Sequence, residues 1–172
     1  MKKINLILVL SILFITGNIF AQGMMPPTPI KSAFLEASLG TWVSEPYQMM
    51  GNTMSDEITH KMILNGQFME IDVRGKSDNG FVYEGMGIIS PSSENSITGT
   101  FYDIFGKGGI MTYTGTEKGS NIYLLGTSNW GTESRDITID GNTMIHTVTM
   151  NMKDANGKEM APQTAVIKYH KK

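Results

Sequence analysis

Leu39-Gly40-Thr41-Trp42 stands at the head of everything in this sequence that has the pattern of a folded core. Upstream of it, Ile30, Phe34 and Leu35 recur at helical spacing; downstream the period drops to two and stays there. A strand pleat sends alternate side chains to opposite faces, so alternation in short runs between turn residues reads as antiparallel strands. After the first strand, over 42–49, Met54, Ile58, Met62 and Leu64 share one parity while Ser55, Glu57, Thr59 and Lys61 take the other. Asp56 and His60 interrupt the apolar side of that strand. Asn65-Gly66 is a strong hairpin signal, and beyond it Met69, Ile71 and Val73 alternate with Phe68, Glu70, Asp72 and Arg74.

The pattern continues through 81–90, where Gly85 and Gly87 mark bends or close backbone approach. A loop is predicted over 91–95, then strands over 97–104, 110–116, 122–127, 133–139, 143–152 and 164–169. About ten strands result, nearly all joined by hairpins between sequence neighbours, with a looser piece over 128–132 as the one candidate for a long crossing. That order predicts an all-β, up-and-down antiparallel barrel, which closes on itself and leaves no free edge. A short helix over 29–38, started by Thr28-Pro29, is too brief to stand alone and suits the closed end of such a barrel.

Residues 1–21 read as a signal peptide: Lys2 and Lys3, an apolar run over 4–17, then Ile19-Phe20-Ala21 before Gln22. The expected division is a leader over 1–21, a flexible tether over 22–28 and one barrel domain over 29–172, in a protein exported to the periplasm or the exterior. Losing Lys2 and Lys3 takes the formal charge from −2 to −4, a surface with no electrostatic footprint for nucleic acid. No membrane association is expected after leader cleavage, and the oligomeric state stays open. The chain has no cysteine, which excludes disulfides, thiol chemistry and lipid attachment through a cysteine.

A family resemblance rests on motifs in order along the chain. Leu39-Gly40-Thr41-Trp42 is followed by Leu64-Asn65-Gly66-Gln67-Phe68, Tyr83-Glu84-Gly85-Met86-Gly87, Phe101-Tyr102-Asp103 and Gly109-Ile110-Met111. Together they resemble domain-of-unknown-function family 1579 (DUF1579), a bacterial group of the lipocalin-like (calycin) superfamily. Phe101 stands where that family usually has tryptophan, and Ile89-Ser90-Pro91 lacks its Gly-Tyr-Asp. The resemblance implies a lipocalin-like barrel, with Gly40 and Trp42 structural at its closed end, and a small apolar ligand inside.

On that reading Phe68, Tyr83, Phe101, Tyr113 and Trp130 supply apolar contact, while Glu84, Asp103 and Arg135 fix a polar end. Which strand parity faces the lumen is not settled by the sequence. No catalytic residue is assigned; a hydrolase on the same scaffold would use Glu84 and Asp103, and a barrel with no ligand is the third reading. His60 and His146 lie on apolar faces and need polar partners, for which a hydroxyl or carboxylate is expected rather than heme iron. His170 sits at the chain end, and no zinc spacing is present. The 14 methionines are dispersed and suit core filling better than copper. No metal and no cofactor is expected.

Overall fold

The computed structural model describes residues 26–154 and 156–172. The predicted leader, over 1–21, lies outside the described residues. The strands are β1 (Gly40–Ser44), β2 (Tyr47–Met49), β3 (Asn52–Ile63), β4 (Phe68–Ser77), β5 (Val82–Ser93) and β6 (Ser96–Asp103). They continue as β7 (Met111–Lys118), β8 (Asn121–Ser128), β9 (Gly131–Asp140), β10 (Thr143–Met152) and β11 (Gln163–Lys171). From β2 to β11 every strand pairs antiparallel with its sequence neighbours. β1 closes the ring by pairing with β11 on one side and β3 on the other.

The single first strand expected over 42–49 is therefore two. Pro46 has no N–H to donate to a ladder, so the wall breaks at Glu45-Pro46 and resumes as β2, which gives ten staves from eleven strands. The seam is short: Trp42, Val43 and Ser44 face Lys171, His170 and Tyr169, and Glu45 N adds a bond to Lys168 O at 2.8 Å. β2 then follows β3 alone.

Two predicted loops are tighter than expected. The piece over 128–132 is no crossing: β8 ends at Ser128, β9 begins at Gly131, and Asn129-Trp130 joins them. Gly131 takes φ 146°, which opens the turn, and the Ser128 hydroxyl accepts from Trp130 N at 3.2 Å. The predicted loop over 91–95 is mostly strand, because β5 absorbs Pro91 in a register shift before turning at Glu94-Asn95.

The helix, α1 (Ala33–Ser38), starts later than Thr28-Pro29 predicts. Ser32 is the cap, accepting from Leu35 N at 3.0 Å, and its hydroxyl donates to Glu117 of β7, which also accepts from Ala33 N at 3.0 Å. A carboxylate on the barrel wall thus chooses the helix start over the local sequence signal. α1 lies across the barrel end where β1, β4, β6, β8 and β10 begin, burying Phe34 and Leu35 against Trp42, Met69, Ile97 and Met144.

Trp42 is fully buried, and its indole Nε1 donates to Ser38 O at 2.7 Å. His60 reaches the same carbonyl through Nδ1 at 3.1 Å. This end is closed by packing and by a satisfied helix C-terminus together. Trp42→Phe should cost about 2 kcal/mol in urea denaturation, from lost contact and a weakened carbonyl partner. A cost below about 0.5 kcal/mol would show that the indole does not hold the plug.

Candidate functional site

Directly paired residues on neighbouring strands share a face, so the lumen can be traced stave by stave. Ile58, His60, Ile71 and Val73 point inward, as do Tyr83, Gly85 and Gly87 across from them, and then Phe101 and Asp103. The interior is not filled. A cavity of about 520 Å³ runs from Phe34 at the plugged end to a rim formed by Phe81, Phe105 and Trp130.

Glycine shapes its wall. The Phe101 ring lies over Gly85 and Gly87, where a Cβ would come within 2.4 and 2.9 Å of it. Those two positions are where the sequence marks close approach, and the aromatic ring is what approaches. At the rim Phe105 stacks with Phe81 at 6.2 Å between centroids and meets Trp130 edge-on at 5.6 Å. Trp130 in turn covers Gly108.

Six of the eight residues expected at a ligand site line this cavity: Tyr83, Phe101, Asp103, Tyr113, Trp130 and Arg135. Phe68 and Glu84 do not. Phe68 alternates with Met69 and so takes the outer face, and Glu84 alternates with Tyr83 and Gly85, exposed on the outside opposite Arg74. The hydrolase pairing of Glu84 with Asp103 fails for the same reason, since the two side chains leave opposite faces of the sheet.

The lumen holds a polar network that extends well beyond Arg135. Its guanidinium donates from Nε to Glu133 Oε1 at 2.8 Å and from a terminal nitrogen to His146 Nδ1 at 3.2 Å. Tyr113 donates to the same Glu133 oxygen at 2.9 Å. Asp56 Oδ2 accepts from Tyr47 at 2.6 Å and from Tyr169 at 3.2 Å, and the Tyr169 ring packs on His146 at 4.8 Å. Nearer the rim Tyr83 donates to Asp103 at 3.4 Å, and Asp103 also accepts from Phe105 N at 2.9 Å.

Neither interior histidine has the hydroxyl or carboxylate partner expected of it. His60 takes the backbone carbonyl of Ser38 at the end of α1, and His146 takes an arginine of the neighbouring β9. Among the described residues, no cluster of three or more His, Asp or Glu is placed to hold a metal ion.

Ionisation follows from this packing. Burial raises the hydroxyls of Tyr47 and Tyr113, with the adjacent carboxylates adding to it, so both stay protonated donors. Burial alone would lower Arg135, but Glu133 beside it reverses the sign and holds the cation charged. Burial raises Asp56, opposed by hydrogen bonds from Tyr47 and Tyr169. His146 is held well below the usual histidine range by burial and then by Arg135. Since arginine only donates, His146 Nδ1 is the acceptor and the neutral ring carries its proton on Nε2, which has no partner.

Burial also pushes His60 down to about 4, against its bond to the Ser38 carbonyl. Both histidines bind protons more readily once the chain unfolds, so their stability is full above pH ~6.5 and is lost as pH falls toward ~4. Asp56 acts the other way, taking its proton in the folded chain at higher pH than in the unfolded one. His60 alone is worth on the order of 3 kcal/mol across the window. Urea denaturation at pH 7.5 and 4.5 should show a clear loss at acid pH. Equal or greater stability at pH 4.5 would mean that the imidazoles protonate in place.

No protein-family model matches the chain, and no curated protein matches it at a significant level. Among solved structures, a de novo designed fluorescence-activating β-barrel is similar at 12% identity, covering 83% of this chain and 100% of its own, with a TM-score of 0.47. The structure of EF1p2_mFAP2b bound to DFHBI is similar at 14% identity, over 81% of this chain and 98% of its own, with a TM-score of 0.48. A redesigned β-barrel, mFAP1, bound to DFHBI, gives 12% identity, 81% and 100% coverage and a TM-score of 0.46.

Proposed function

We propose that this barrel binds a small, largely apolar molecule in its interior. The observation that carries the reading is the cavity of about 520 Å³, within the range of small-molecule sites. Apolar side chains such as Met49, Ile71, Phe101 and Met150 form most of its wall, and convergent polar groups face into it. A cavity lined this way favours apolar groups released from water. Methionines in the wall add a surface that adjusts to shape.

The motifs quoted from the sequence support placing the chain with domain-of-unknown-function family 1579. Three of them converge on one patch of wall, where Tyr83, Gly85 and Gly87 of β5 meet Phe101 and Asp103 of β6 and Met111 of β7. Export from the cytoplasm rests on the leader pattern over 1–21. The carboxylate geometry gives no support to the hydrolase alternative.

Native mass spectrometry of protein purified from its own source should show a co-purifying small molecule. N-phenyl-1-naphthylamine, a neutral apolar probe, should bind and brighten. Ile71→Trp, which fills the lumen, should weaken probe binding at least about tenfold while circular dichroism stays unchanged. Probe binding unaffected by that substitution would place it outside the barrel and remove the proposal.

A further inference from the structure

The polar groups of the cavity say which head group its ligand carries, given the ligand-binding reading above. Arg135 lies deep inside the barrel, yet a quarter of its side chain, 25%, is accessible, and that surface faces the cavity. A guanidinium has five N–H donors. One goes to Glu133 and one to His146, and among the described residues no acceptor meets the others. The exposed part of Arg135 is therefore a set of donors awaiting an oxygen. Buried beside it, the His146 Nε2 proton also lacks a partner.

An open arginine usually suggests an anion, but its surroundings argue otherwise. Glu133, almost wholly buried, already holds the cation at 2.8 Å. Asp56 and Asp103 line the same cavity, so three carboxylates face one guanidinium. His60 and His146 add no positive charge, both being held below the usual histidine range by burial. The four hydroxyls that a ligand carboxylate would want are taken as well. Tyr47 and Tyr169 donate to Asp56, Tyr113 to Glu133 and Tyr83 to Asp103. A second anion at Arg135 would meet like charges across a poorly screened interior.

We infer that the lumen takes a neutral hydrogen-bond acceptor, a ketone, aldehyde, ester or amide carbonyl, on the free N–H groups of Arg135, and rejects the carboxylate of matching chain length. A carbonyl oxygen satisfies the open donors without adding charge. The apolar remainder of the molecule then lies along Phe101 and the other apolar side chains of the wall.

The test is displacement of N-phenyl-1-naphthylamine at pH 7.5 by 2-undecanone and by undecanoate. The ketone should compete at least about tenfold better, one factor of ten being about 1.4 kcal/mol. Glu133→Gln, which strips Arg135 of its counter-charge, should narrow or reverse that preference. In the unmodified protein, the infrared carbonyl band of carbonyl-13C-labelled 2-undecanone should shift to lower frequency on binding, a signature that needs no variant. Undecanoate competing as well as the ketone, or an unshifted band, overturns the inference while leaving ligand binding intact. A probe that does not bind at all removes both.

Discussion

Everything in this structure depends on one short ladder. Three residues of β1 pair with β11 while the same strand pairs with β3 on its other side. Without that double pairing the sheet would be open, with two free edges and a solvated inner face. With it, the inner face encloses space, and a carboxylate or guanidinium on that face must find partners among its neighbours. Trp42 is the first residue of the ladder and also anchors α1 through Ser38, so closing the ring and plugging its end are a single packing event.

Enclosure explains why the interior polar groups form a network rather than isolated pairs. Glu133 serves Arg135 and Tyr113, and Asp56 serves two tyrosines. Each anion is met by at least two donors, which is how a buried charge is tolerated. Outside the barrel the contrast is plain. Lys61 with Glu70, and Glu45 with Lys168 and His170, are half-exposed pairs that water screens and that contribute little.

Strand order and closure were legible because a pleat imposes period two, and turn residues punctuate it wherever the chain reverses. Particular residues show where legibility ended. On β5 the inward positions include Gly85 and Gly87, which carry no hydropathy signal, so the alternation that would have turned Glu84 outward was erased. Phe68 offers an aromatic ring, but its parity, opposite to Met69 and Ile71, points it away from the lumen. Tyr47, Asp56, Glu133, His146 and Tyr169 were missed as site residues, and their common signal was a polar group at apolar parity. The helix start at Ser32 could not be read locally, because Glu117, distant in sequence, selects it.

The break at Glu45-Pro46 has a mechanical side. Neighbouring staves of the wall are bound along their length, β10 to β11 through eight residue pairs, whereas the closing seam has three. Beyond Ser44, β2 leaves β11 to its other neighbour, so toward the rim the two flank each other without a ladder. Local opening begins where the fewest backbone bonds must break. The cylinder is thus a slit tube: stiff around most of its circumference, with its compliance gathered along one line that starts at the rim and stops at the tryptophan plug.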